Sequence, residues 1–271
     1  MNRYASLALL LGAAAVAACD KNGRQNITAP VTANAAFVKF FNFGVGTPGV
    51  YFYANDQKVT AISSVTCQPP NDTTAVCRST GNDSTGGTAY NAAGNGGLYN
   101  QIAPGQATLS AKIAAANVSN HLAIASVSTS LESGKFYSFY QSGIYNSTAK
   151  QADAFVVEDP IPTTVDYTQA YIRFVNAISN SQPMTLYAKS STTGTESPVG
   201  SSVSYKSAGT FTAIPAGVYD LNTRTAGSST NVITRTAVSF VGGHVYTVTA
   251  RGDMTSTATA TKPALDNTAN Q

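Results

Sequence analysis

Three cysteines (Cys19, Cys67, Cys77) and two histidines (His121, His244) are the residues of this 271-residue chain best suited to nucleophilic, metal or proton-transfer chemistry. Their surroundings give them little to work with. His121 lies in Ser119-Asn-His-Leu122 and His244 in Gly243-His-Val245, and neither stretch carries a convincing catalytic arrangement. The chain has no Gly-x-Ser-x-Gly elbow, no phosphate-cradling glycine loop ahead of a helix and no His-Glu-x-x-His. Gly81-Asn-Asp-Ser-Thr-Gly-Gly87 reads as a flexible loop, so no catalytic residue is expected. Asp153, Glu158, Asp159 and Asp166 crowd one stretch; an interdomain Ca2+ is the one metal reading they allow, with solvated linker charge the simpler alternative. Arg251-Gly-Asp253 spells an integrin-binding tripeptide, whose simplest reading is chance.

Charge narrows the classes further. Only 11% of residues are charged, against roughly 25% in ordinary soluble domains. Sixteen Lys+Arg against thirteen Asp+Glu are too few to build the basic stripe a nucleic-acid partner demands, and no cofactor is implied. The cysteines carry a different message. Met1-Asn-Arg-Tyr4 precedes an apolar run from Ala5 to Ala18, too short to span a bilayer and suited to a cleaved signal peptide, 1–18. Val16-Ala-Ala-Cys19 resembles the bacterial lipobox, which implies lipidation of Cys19 (palmitate among the acyl groups) and attachment to a membrane. Several acyl chains make such anchoring stable. An outer-membrane location is favoured; Asp20 leaves the periplasmic face of the inner membrane open. In that oxidising setting Pro69-Pro-Asn-Asp72 turns the chain between Cys67 and Cys77, which predicts a disulfide over a zinc site.

The elements that must position these residues repeat. Ala36-Phe-Val-Lys-Phe-Phe-Asn42 aligns with Ala170-Tyr-Ile-Arg-Phe-Val-Asn176 at an offset of 134, which continues from Val50–Ala54 to Met184–Ala188. Ile102–Leu109 pairs with Ile214–Leu221, and Ser133–Tyr140 with Gly242–Thr249. Three blocks in one order read as a tandem duplication. They are β-branched, aromatic and alternating, and Gly, Pro, Asn, Ser and Thr separate them. Alternation sends Val38, Phe40, Ile172 and Phe174 inward with Tyr137, Phe139, Tyr246 and Val248, and places Lys39 and Arg173 on the solvated face. Apart from the signal, only Gln106–Ala116 invites a helix. The expected fold is all-β: two tandem Ig-like antiparallel β-sandwiches.

The expected organisation is a lipidated tether 19–34, a first repeat 35–157, a linker 158–167, a second repeat 168–254 and a frayed tail 255–271. The first repeat carries a surface insert, 63–97. Tyr51, Tyr53, Phe136 and Tyr140 fall on alternating positions that face outward, where aromatics stack on sugars or pack against a partner; a contact between the two domains is the plainer use.

The blocks resemble those of the bacterial domain-of-unknown-function family 4397. Ile172-Arg-Phe-Val-Asn-Ala177, Ser181-Gln-Pro183 leading to Leu186-Tyr187, Ile214-Pro-Ala-Gly-Val-Tyr219 and Gly243-His-Val-Tyr-Thr-Val248 carry the likeness, over 35–157 and 168–253. The resemblance implies envelope-associated Ig-like modules, often tandem lipoproteins, and no activity. Function is then expected to be non-enzymatic: a membrane-anchored structural, adhesion or binding module for a protein or glycan. The alternative is an envelope hydrolase or accessory subunit with its site in the insert.

Overall fold

The computed structural model describes residues 34–60, 65–68, 76–79, 86–114 and 121–270, with backbone alone for 65–68 and 76–79. The expected signal peptide, Cys19 and the expected tether up to Ala33 lie outside them. The described chain is almost entirely strand. The first repeat holds β1 (Ala36–Asn42), β2 (Val50–Ala54), β3 (Gln57–Lys58), β4 (Val65–Gln68), β5 (Val76–Ser79), β6 (Ala92–Ala93), β7 (Asn100–Ile102), β8 (Gly105–Ile113), β9 (Ala123–Leu131), β10 (Phe136–Asn146) and β11 (Gln151–Glu158). The second holds β12 (Gln169–Asn176), β13 (Met184–Ser190), β14 (Glu196–Val203), β15 (Ser207–Ala208), β16 (Thr212–Pro215), β17 (Gly217–Thr225), β18 (Ile233–Phe240), β19 (Val245–Arg251) and β20 (Ala264–Ala269).

Each repeat is a sandwich of a five-stranded and a four-stranded sheet. In the first, β11-β10-β1 is extended by β6 and β7, and the second sheet runs β3-β2-β8-β9. In the second repeat, β20-β19-β12 is extended by β15 and β16, facing β14-β13-β17-β18. The ladders share one register. Phe40 faces Phe139 as Phe174 faces Val248, Ala36 faces Ile102 as Ala170 faces Ile214, and Ala54 faces Leu109 as Ala188 faces Leu221. Every block pair found in the sequence thus occupies equivalent positions. Each sandwich has its own apolar centre: Val38, Phe40, Phe52, Leu109, Tyr137 and Phe139 in one, Ile172, Phe174, Leu186, Leu221, Tyr246 and Val248 in the other. The turn before β10 and β19 needs glycine, because Gly134 and Gly243 take φ of +78° and +77°.

Four expectations change. The five-stranded sheets are mixed, since β1 pairs with β10, and β12 with β19, in parallel. The chain leaves the first strand for the other sheet and returns beside it in the same direction. Gln106–Ala116 is no helix: its described part continues β8, where Ala107, Leu109, Ala111 and Ile113 bury at period 2. The tail is no frayed end, because β20 pairs along the whole of β19 and buries Leu265. Backbone pairing needs no apolar run, so a Thr/Asn-rich strand with one Leu escapes hydrophobic patterning. Finally, the insert's end rejoins the sheet: β6 lies on β1 as β15 lies on β12, and a 3-10 turn, Gly94–Gly97, leads to β7. The extra chain therefore lies between β3 and β6, where the second repeat has the long β14 and a turn of three residues, Ser204–Lys206.

Candidate functional site

The outer faces of the two five-stranded sheets are buried against each other, and this contact holds the densest polar chemistry among the described residues. Alternation puts Lys39 and Arg173 opposite their sandwich cores, as expected, but that face is not solvated: Lys39 is 2% exposed and Arg173 fully buried. The other repeat covers it. Arg173 donates from Nη1 to the Glu158 carbonyl (2.8 Å), from Nε to Thr247 Oγ1 (3.0 Å) and from Nη2 to Asp159. Asp159, expected as solvated linker charge, is buried, and its other oxygen accepts from Tyr99 Oη and Ser138 Oγ, both at 2.7 Å. Lys39 Nζ donates to the Ala269 carbonyl (2.5 Å) and Asn270 Oδ1 (3.4 Å) and stands 4.4 Å from the centre of the Tyr99 ring. Burial lowers the Lys39 ammonium to about 8, with Asp159 opposing the shift. Burial raises the Tyr99 phenol strongly, reinforced by Asp159. A cation and carboxylate paired in this way, with their remaining valences hydrogen-bonded, fix geometry.

Beside it lies the apolar part of the contact: Phe41, Phe43, Tyr140, Phe155, Val175 and Ala177. Tyr140 therefore points out of its own sandwich and into the contact between the two domains, the plainer of its two expected uses. It is wholly buried, stacked on Phe41 (4.8 Å) and Phe155 (5.0 Å), with its hydroxyl 3.4 Å from that of Thr249. Burial pushes its phenol up to about 12. Tyr51 and Tyr53 are buried too, on the outer face of the four-stranded sheet, where Lys58 lies over Tyr51, Lys112 over Tyr53, and His121 meets both rings. Their outward direction was right, but neighbouring side chains cover them. Phe136 is half-buried between Phe37 (4.8 Å) and Tyr99 (4.9 Å). The four aromatics thus belong to three separate places. Among the described residues the most exposed large apolar side chain is Tyr167, in the linker, which periodicity could not single out because it precedes the strand.

The remaining candidates also separate. The backbones of β4 and β5 pair antiparallel with Cys67 directly opposite Cys77. The four linker carboxylates diverge: Asp153 meets Tyr205 and Lys206, Glu158 meets Lys135, Asp159 meets Arg173, and Asp166 accepts from Thr168. Among the described residues no three acids, histidines or cysteines gather as a metal site. Arg251 is paired with Asp266 on β20, and the Asp253 carboxylate accepts from Asn180 and Thr255, which hold it below the usual carboxylate range, so the tripeptide is built into the sandwich edge.

This geometry defines a two-sandwich module whose charged centre joins its halves. Residues 170–271, from the first paired strand of the second repeat onward, match the model of the domain of unknown function DUF4397. The second repeat is accordingly similar to the domains of that family. No curated protein matches the chain. Among solved structures, the Bacillus anthracis TIE protein aligns with 81% of this chain at 11% identity and a TM-score of 0.23, a likeness too weak to carry an argument. The chain spans about a third of that structure's length, the alignment covering 34% of it.

Proposed function

We propose that the chain is a non-catalytic, membrane-anchored lipoprotein of the cell envelope. Its two sandwiches act as one rigid structural, adhesion or binding module for a protein or glycan. The observation that carries the reading is the buried Arg173–Asp159 pair, which crosses from one repeat to the linker end of the other and commits the most chemically capable groups to joining them. Chemistry spent on architecture supports a scaffold. Because the five-stranded sheets cover each other, a partner would meet the four-stranded sheets, the insert or the loops, where Tyr167 offers an open ring for stacking. The facing positions of Cys67 and Cys77 support a disulfide stapling the insert, in keeping with an oxidising compartment. The lipobox-like Val16–Cys19 supports a lipid anchor, with the outer membrane favoured. Metabolic labelling tests it. Wild-type chain should incorporate radioactive palmitate and sediment with membranes; Cys19→Ala should do neither. Undiminished labelling of Cys19→Ala would remove the anchor from the reading.

A further inference from the structure

The contact between the repeats obeys a two-fold rule. Ladder positions define which residues are equivalent. Lys39 and Arg173 share a position on β1 and β12, as do Ser138 and Thr247 on β10 and β19. Tyr137 faces Glu158 and Tyr246 faces Ala269, so Glu158 matches Ala269, and Asp159 matches Asn270 one residue on. The crossing bonds then repeat themselves. Arg173 reaches the Glu158 carbonyl and the Asp159 side chain; Lys39 reaches the Ala269 carbonyl and the Asn270 side chain. Asp159 is tied to Ser138, and Asn270 to Thr247. Phe41 with Val175, Phe43 with Ala177 and Ala93 with Ala208 are equivalent pairs, and all six side chains lie in the shared apolar cluster. Tyr140 and Thr249 are equivalent and touch each other, as residues beside a two-fold axis must. Tyr205 reaches Ser142 and meets the Phe155 ring, and the counterparts of those two, Arg251 and Asp266, lie near Tyr90, the counterpart of Tyr205. A contact in which residue i meets j and the equivalent of j meets the equivalent of i is isologous, the geometry of a symmetric dimer.

We propose that this face is a self-complementary docking surface. The outer face of the five-stranded sheet in either repeat recognises the same face of a second copy of the repeat, and the chain joins two such copies through residues 160–168. The occupant is a second copy of residues 168–271. In that pairing each Arg173 meets the other copy's Ala269 carbonyl and Asn270, and Val175, Ala177 and Ala208 meet their own equivalents. Asn270 is neutral where Asp159 is charged, so a pair of second repeats buries two guanidinium groups without a carboxylate. Asn270→Asp supplies both.

The test starts from the whole chain, with a protease site placed in residues 162–166. After cleavage the halves should co-elute as a one-to-one complex at micromolar concentration. Separated in urea and refolded, the second half should dimerise by light scattering. Asn270→Asp should tighten that dimer by at least about tenfold, as a charge-assisted pair replaces a neutral one. Val175→Glu should leave a folded monomer. Folded halves that part on cleavage, or a folded second half that stays monomeric with Asn270→Asp, would overturn the proposal. If the isolated half does not refold, the intact chain decides. Transposing both pairs (Lys39→Arg and Asn270→Asp with Arg173→Lys and Asp159→Asn) should hold the Tm within about 5 °C of the parent, and a larger fall overturns the two-fold rule.

Discussion

The two repeats share their ladders but close them with different materials. In the first, the edge strand β11 carries Phe155 and Val157 and is followed by a buried carboxylate, Asp159. In the second, the matching β20 is Ala-Leu-Asp-Asn-Thr-Ala and is followed by Asn270. The crossing cation differs in the same sense: guanidinium against carboxylate at one end of the contact, ammonium against amide and carbonyl at the other. Equal geometry with unequal charge shows that strand register sets where a group stands, whereas the residue's chemistry sets what removing it costs.

Deleting residues 255–271 makes the harshest break in this comparison. It strips β20 from β19, uncovers the core that Leu265 closes and removes both acceptors of Lys39. Loss of a buried Leu alone costs about 2–5 kcal/mol, and loss of a paired strand adds to it. The truncated chain should lose one cooperative transition in differential scanning calorimetry, corresponding to the second sandwich. A frayed tail would have been dispensable, so an unchanged thermogram would restore the original expectation.

The two cations separate next. Arg173→Met leaves Asp159 buried with hydroxyl donors and without its paired cation, only the Lys39 ammonium, not bonded to it, remaining nearby, and should cost about 3–5 kcal/mol in urea denaturation. Lys39→Met strands a carbonyl and an amide, not an ion, and should cost about 1 kcal/mol or less at pH 7, since a buried ammonium is itself held at a desolvation cost. Equal losses would mean that the contact does not distinguish charge from amide. The same pair predicts a pH effect. Lys39 titrates near 8 when folded and near 10.5 when unfolded. Between those values the unfolded chain holds the extra proton, so stability rises with pH, and below about pH 8 the full penalty of the buried ammonium is present. Lys39→Met should abolish the rise between pH 8 and 10. Above that window Tyr99 and Tyr140, both raised by burial, act in the opposite direction.

How much of this was legible follows from what each signal reports. Period-2 alternation reports the inside of one sandwich, and it placed Val38, Phe40, Ile172 and Phe174 correctly. It says nothing about what covers the other face, so Lys39 and Arg173 read as solvated residues although a second sheet lies over them. Asp159 looked like linker charge because its partners, Arg173 and Tyr99, are distant in sequence. Block alignment read the repeat well, since it compares strands with strands. It failed on β20, whose pairing is made by backbone groups common to every residue.

The last difference is the extra chain between β3 and β6, and it should matter least to stability. β4 and β5 form a ribbon of their own, paired with neither sandwich sheet. A Cys67–Cys77 disulfide would close a short loop, and the unfolded-chain entropy it removes, worth about 3 kcal/mol in a chain-entropy estimate, would stabilise that ribbon rather than either core. Non-reducing peptide mapping should recover the two cysteines as one cross-linked species. Reduction should then speed proteolysis within residues 61–85 while moving the main thermal transition by less than about 2 °C. A larger shift would show that the insert braces the first sandwich, and the two repeats would then differ in what stabilises their cores as well as in how they end.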